Sequence, residues 1–271
     1  VPAMIESLEG RNIVQVATGG SHTVLLDQDG SVYTFGEGRA GQLGHRDTKD
    51  RLVATKIDSL NNIVQVAAGG SHTVLLSRDG RVFTFDEGGS SQLVHGDTKD
   101  ILEPTTIESI VPRMIKSFFS STRNIVKARR IVQVAAGNYH TVLLDQNGRV
   151  FTFGNGEYGQ LGQGDCENKR VPIMIKSLED TNIVQVAAGA FHTILLGCDG
   201  RVFTFGMGTF GRLGHGDNKD KLVPTPIESL EDTNIVQVAG GREHTVLLDE
   251  RGQVYTFGRG DYGRLGHGDE E

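Results

Sequence analysis

Nine histidines and a recurring Gly-x-Gly-x-x-Gly pattern are the residues of this chain whose types and spacing could do chemistry. Gly36-Glu-Gly38-Arg-Ala-Gly41 has the spacing of a loop in which glycines let backbone N–H groups approach a pyrophosphate at a helix start. The pattern returns at Gly154, Gly206 and Gly258, and a damaged copy runs from Asp86 to Ser91. A cofactor fingerprint serves one pyrophosphate and appears once per domain. Variants of "QLGHGD" follow the copies, and their glycines would not start a helix. The glycines belong to a repeat, and no cofactor is expected.

The histidines are equally periodic. His22, His72, His140, His192 and His244 each precede Thr-Val-Leu-Leu or Thr-Ile-Leu-Leu. His45, His95, His215 and His267 follow the glycine loop, where the third copy has Gln163. A catalytic histidine needs one special environment, whereas these share five equivalent ones; hydrogen bonding between loops is the expected role. Asp27-Gln-Asp29-Gly30 and its relatives suggest a calcium loop, but calcium needs ligands spread over about twelve residues and a closing Glu. Here a strand follows at once. No Ser/His/Asp grouping stands apart from the repeat, and no Cys/His cluster has metal spacing. No covalent chemistry and no metal are expected.

The repeat itself has a period near 50 residues. "IVQVA" begins at Ile13, Ile63, Ile131, Ile183 and Ile235, spaced by 50, 68, 52 and 52 residues. Ile-Val-Gln-Val-Ala reads as a buried inner strand, and His-Thr-Val-Leu-Leu as its neighbour. Asp29-Gly30, Asp79-Gly80, Asn147-Gly148 and Asp199-Gly200 then signal a hairpin with a type I′ turn, followed by the alternating "RVFTF" strand. Proline in "VPTPI" suits only an edge strand. Four antiparallel strands per repeat predict an all-β chain, one β-propeller domain over residues 1–271. Five four-stranded blades are expected, closed by Val1–Ile5 as outer strand of the last blade.

Composition agrees with this architecture. Glycine supplies 37 of 271 residues, about twice the usual ~7%, as many tight turns require. Two cysteines cannot build a disulfide framework. No apolar run approaches the ~18 residues of a membrane span, and no signal peptide is evident. A soluble, intracellular protein is expected, cytoplasmic or nuclear. A net charge of −7 does not favour nucleic acid.

The segment "GGREHTVLLDERGQVYTFGRGDYGRLGHGD", with its four sister copies, closely resembles repeats of the regulator of chromosome condensation family. That resemblance implies a propeller that binds proteins. In its nucleotide-exchange members the position before the repeat histidine lies on the face that meets a Ran-type GTPase. Ser21, Ser71, Tyr139, Phe191 and Glu243, with Arg242, would line that face here. A second variable site lies in the glycine loop, with aromatics at Tyr158, Phe210 and Tyr262 and small residues at Ala40 and Ser90. Guanine-nucleotide exchange on such a GTPase is the leading expectation, by a monomer and without bond chemistry. A bacterial protein delivered to a host cell would fit as well. The alternative is a non-catalytic scaffold, inhibitor or targeting domain. The family's UV-B photoreception needs clustered tryptophans, and this chain has none.

One segment breaks the period. Residues 111–130 hold Arg113, Lys116, Arg123, Lys127, Arg129 and Arg130 and no acid. It reads as a surface element left by the loss of a blade body, or as a basic docking element for an acidic partner or an anionic membrane.

Overall fold

The computed structural model describes residues 2–86, 101–107 and 130–268. Blade one is β1 (Ile13–Thr18), β2 (His22–Asp27), β3 (Val32–Gly36) and β4 (Arg51–Lys56). Blade two is β5 (Ile63–Ala68), β6 (His72–Ser77), β7 (Val82–Asp86) and β8 (Ile101–Thr106). Blade three is β9 (Ile131–Ala136), β10 (His140–Asp145), β11 (Val150–Gly154) and β12 (Lys169–Met174). Blade four is β13 (Ile183–Ala188), β14 (His192–Gly197), β15 (Val202–Gly206) and β16 (Lys221–Pro226). The fifth has three strands, β17 (Ile235–Gly240), β18 (His244–Asp249) and β19 (Val254–Gly258). Every pairing is antiparallel between sequence neighbours, so the fold is the expected all-β propeller of repeats.

The expected closing strand is not made. Pro2–Ile5 carries no strand, and among the described residues β19 pairs only with β18. Inner strands touch in the succession β1, β5, β9, β13 and β17, and among the described residues no comparable contact joins the fifth blade to the first.

The hairpin turns also differ from expectation. A type I′ turn needs positive φ at both central residues. Here only the glycines qualify: Gly30, Gly80, Gly148 and Gly200, at φ 75° to 84°. With Asp27 N–H bonded to Ser31 O and Gly30 N–H to Asp27 O, each is a three-residue loop with a left-handed glycine. The strand-ending aspartate explains why. Asp27 Oδ1 accepts from the N–H groups of Asp29 and Ser31, an arrangement repeated by Asp145 and Asp249. In each of these carboxylates Oδ1 serves the turn.

The core lies between blades. Val24, Leu26 and Val32 of blade one pack against Ile57, Ile63, Val66, Leu75 and Phe85. Equivalent residues fill the next three interfaces. In His-Thr-Val-Leu-Leu, the Val and last Leu thus face the following blade, and the middle Leu faces the preceding one. Burial of each such side chain contributes about 1.5–3 kcal/mol.

Polar side chains stitch the same seams. Gln15 Nε2 donates to Val66 O (3.2 Å) and its Oε1 accepts from Val66 N–H (3.0 Å), so the amide acts as a short strand edge. Gln65–Val134, Gln133–Val186 and Gln185–Val238 repeat it. The repeat histidine makes the second stitch. Nε2 of His22, His72, His140 and His192 lies 3.0–3.1 Å from the hydroxyl of Thr73, Thr141, Thr193 and Thr245 on the following blade. Thr73, Thr193 and Thr245 each donate their single proton to a carbonyl, of Gln42, Gln160 and Arg212. At His22, His140 and His192 the imidazole must therefore be the donor, which fixes the neutral Nε2–H tautomer. Nδ1 is buried without a partner. Burial holds these rings neutral, with His22 and His140 at about 4 and His72 and His192 at about 3. The histidines are seam components, as their periodicity implied. Each ring sits on a glycine: a Cβ at Gly137 would lie 2.2 Å from His140 Cε1.

Candidate protein-binding face

The first residue of the pair before each repeat histidine lines a central funnel of about 510 Å³, joined there by Ser71 and Tyr139. The rim is a backbone relay. Gly20 N–H donates to Gly70 O, Gly70 to Asn138, Asn138 to Ala190 and Ala190 to Arg242, at 3.0–3.2 Å. The first residue of each pair is thereby fixed, and the second stands beside it. Its carbonyl ties the two variable sites together. Ser21 O, Tyr139 O, Phe191 O and Glu243 O accept from Glu37, Asn155, Met207 and Arg259, the second residues of their own blades' glycine loops.

The glycine loop needs glycine for the fold. A Cβ at Gly38, Gly156 or Gly208 would lie 2.1–2.2 Å from the carbonyl oxygen of Lys49, Glu167 or Lys219. These contacts explain the middle glycine, and positive φ explains the outer two, as at Gly36 (109°) and Gly41 (75°). Beneath it, Thr34 and Thr204 bond His45 and His215 at 2.9 Å, and Gln163 Nε2 donates to Thr152 at 3.1 Å. Glutamine thus replaces histidine in the third copy with its N–H donor retained.

Two side-chain clusters result. Tyr139 and Phe191 have ring centroids 6.1 Å apart, and Tyr158 of the blade-three glycine loop meets Phe191 edge-on at 5.4 Å. The second cluster is built of aromatics and arginines. Phe210 lies under the guanidinium groups of Arg259 (5.0 Å) and Arg212 (5.7 Å), within cation–π range. Arg259 pairs with Glu243 at 2.9 Å and with Asp261, and Arg264 approaches Glu243 at 3.6 Å. Hydrogen bonding to Arg259 holds the Glu243 carboxyl below the usual range. Glu243 is thus engaged within the chain, where it positions Arg259 over Phe210. Phe210 and Tyr262 both adopt positive φ, at 64° and 62°, and both rings are exposed. Tyr262 is 88% exposed, under Arg264 at 5.7 Å.

The sequence-predicted residues are therefore brought together in part. Tyr139, Phe191 and Tyr158 form one contact group, and Phe210 joins Glu243 through Arg259. Ser71 and Arg242 line the funnel, whereas Ser21 is exposed outside it. Arg212, Arg259 and Arg264 were not singled out. Their signal was available, because Gln42 and Gln160 occupy the place of Arg212 and Arg264 in other copies. Arg212 is 1% exposed, and its Nη1 lacks a partner. Of the basic segment only Arg130 is described; it donates to Arg78 O at 2.8 Å. Arg113, Lys116, Arg123, Lys127 and Arg129 lie outside the described residues, as does the blade-two loop after Asp86. Both cysteines are free and exposed. Among the described residues no cluster could hold a metal, and no helix is long and apolar enough to cross a membrane.

A rim of backbone relays carrying aromatic anchors, on a propeller stitched by repeat histidines, is the setting for a comparison with known proteins. The RCC1-like domain profile matches residues 1–271. The chain belongs to this family. It is 43% identical over 270 residues to mouse "Probable E3 ubiquitin-protein ligase HERC4", covering 98% of this chain and 24% of that protein. It is 35% identical over 268 residues to the ultraviolet-B receptor UVR8 of Arabidopsis thaliana, covering 98% and 58%. The chain thus spans about a quarter of its HERC4 relative. Among solved structures it resembles human WBSCR16, with a TM-score of 0.78 at 24% identity over 96% of this chain and 65% of that one. It also resembles Prp20p of Saccharomyces cerevisiae, with a TM-score of 0.72 at 23% identity, over 88% and 56%. These two likenesses concern the fold.

Proposed function

We propose that this RCC1-like propeller recruits a protein partner to the face carried by blades three to five, without bond chemistry of its own. One observation carries the reading. The variable positions of near-identical repeats converge into two contact clusters on a rigid rim, one of aromatics and one of aromatics with arginines. Aromatics and arginine dominate interface energetics when their positions are fixed beforehand. His22, His72, His140 and His192 are taken up by the seams, so the reading rests on contact rather than on a repeat histidine. In a chain that matches a quarter of a ubiquitin-ligase relative, such a face serves as a targeting domain.

Exchange on a Ran-type small GTPase is the second reading. It is favoured by the structural likeness to Prp20p, whose reported binding properties concern Gsp1p and histones. In that reading the partner meets the same face, and exchange arises from tighter binding of the nucleotide-free state. UV-B reception is not proposed, since the chain lacks tryptophan.

The test compares captured partners from cell lysate for the unmutated chain and for Tyr139→Ala with Phe191→Ala. A partner lost at least ~10-fold with the double variant, about 1.4 kcal/mol, supports the face; undiminished capture contradicts it. Stimulated release of labelled GDP from Ran by the unmutated chain would select the second reading over the first.

A further inference from the structure

Four glycine loops lie among the described residues, in blades one, three, four and five, and they are built to two designs. Each holds the same four-residue turn. Gly41, Gly159, Gly211 and Gly263 N–H close it on the carbonyls of Gly38, Gly156, Gly208 and Gly260, at 2.8–3.0 Å. The third residues of these turns are Ala40, Tyr158, Phe210 and Tyr262. The residue just after the turn is Gln42 or Gln160 in blades one and three, but Arg212 or Arg264 in blades four and five. Gln42 Oε1 accepts from Ala40 N–H and Gln160 Oε1 from Tyr158 N–H, both at 2.9 Å. Arginine has no acceptor to offer. Arg212 Nε donates instead to Thr209 O, and Arg264 Nε to Asp261 O, both at 2.8 Å.

The N–H of Tyr158 and the C=O of Thr209 belong to the same peptide unit of their turns, the one between second and third residues. That unit shows its N–H to glutamine and its carbonyl to arginine, so it is turned over. The backbone records the reversal. Phe210 and Tyr262 have φ of 64° and 62°, whereas Ala40 and Tyr158 keep φ outside the positive range. The two forms are related as type I and type II turns are, by the direction of the central peptide. A type II turn calls for glycine or asparagine at its third residue, and Phe or Tyr is strained there. Arginine holds the strained form through its charged hydrogen bond and its stacking. The guanidinium lies 5.7 Å from the ring of the turn in both copies, Arg212 over Phe210 and Arg264 over Tyr262. Tyr158 and Tyr262 provide the internal control. They are the same residue at the same place, and φ is positive only where arginine follows.

We infer that the residue after the turn determines the specificity of each blade's loop. Glutamine lays the loop aromatic against the rim, and arginine stacks it under its own guanidinium. This specificity rests on the reading of the face as protein-binding, and it explains how one repeat shows two chemistries there. With Gln160, Tyr158 meets Phe191 edge-on at 5.4 Å, and blade three offers a partner an uncharged aromatic group. With Arg212, Phe210 lies between Arg212 and Arg259, and blade four offers a ring flanked by cations. Arg212 is itself only 1% exposed, so it acts through the ring that it turns and is a positioning residue.

The test exchanges the two residues, so that each variant carries what another blade already uses. Nuclear Overhauser spectra read the turn, because a left-handed residue brings its N–H close to its own Hα and gives an intense cross-peak. Arg212→Gln should abolish that intensity at Phe210, and Gln160→Arg should create it at Tyr158. An unchanged pattern at both positions overturns the inference; should one variant fail to fold, the other decides. The binding arm uses the partner captured by the unmutated chain. Phe210→Ala and Arg212→Gln should each weaken it about 10-fold, and the double variant no further, because both act through one ring. Losses that multiply would mean that Arg212 touches the partner itself, and overturn its positioning role. No loss from either substitution overturns the specificity. If no partner is captured at all, the protein-binding reading fails, and the turn is still decided by Phe210 and Tyr158.

Discussion

The seam between blades three and four and the flank of blade one are written in the same residues. In the seam, Val186 is 2% exposed and bonded to Gln133; on the flank, the equivalent Val16 is 59% exposed with no such partner. The difference teaches what the repeat encodes. A blade is not a self-sufficient unit, because its Val and last Leu are apolar only for the benefit of the next blade. What recurs along the chain is an interface, with its histidine, threonine and glutamine stitches, and each blade supplies two unlike halves of it. Stability in such an array is a sum of units and nearest-neighbour contacts.

Acid should break the comparison most severely. His22, His72, His140 and His192 have folded-state pKa values of about 3 to 4, below the ordinary 6.5. The unfolded chain therefore takes up protons that the folded chain refuses. Stability is complete above the unfolded value and is lost as the pH falls toward the folded ones. Each histidine contributes a slope of up to about 1.4 kcal/mol per pH unit. Together the four remove about 13 kcal/mol by about pH 4, comparable with a typical stability of about 5–15 kcal/mol. Circular-dichroism melts across this range check it. A melting temperature constant from about pH 6.5 to 4 would mean that the seam histidines are not buried and neutral.

A matched pair of substitutions sharpens the comparison with a smaller effect. Val66→Lys places a charge in a packed seam and should cost roughly 3–5 kcal/mol. Val16→Lys, the same change at the same place in the repeat, should stay within about 0.5 kcal/mol in dilute solution. Denaturant unfolding measures both. Equal losses would erase the distinction between a made seam and an open flank.

The fold was legible because periodicity is a strong signal: "IVQVA" and "HTVLL" mark inner strands, and Asp-Gly or Asn-Gly marks each hairpin. The turn type was not legible. Asp-Gly is shared by two-residue and three-residue loops, and the choice fell to Asp27, whose carboxylate caps two N–H groups of the longer loop. Closure was misread for a related reason. Val1–Ile5 has the pattern of an outer strand, but a pattern states what a segment can pair with and not whether the partner lies within reach. Of the site, Tyr139 and Phe191 were visible as differences between copies. Arg212 differs between copies as plainly, but its importance, like that of Arg259, lies in what it stacks on, and Phe210 meets them only after the chain has folded.

Hydrogen exchange at one backbone position per blade tests the central claim most directly. The amides of Val66, Val134, Val186 and Val238 each donate to a glutamine of the preceding blade, and among the described residues Val16 has none to donate to. In dilute solution the four seam amides should exchange slowly and the Val16 amide at close to the unprotected rate. Protection of Val16 equal to that of the other four would contradict an open first blade. Fast exchange at all five would contradict the stitched seam itself.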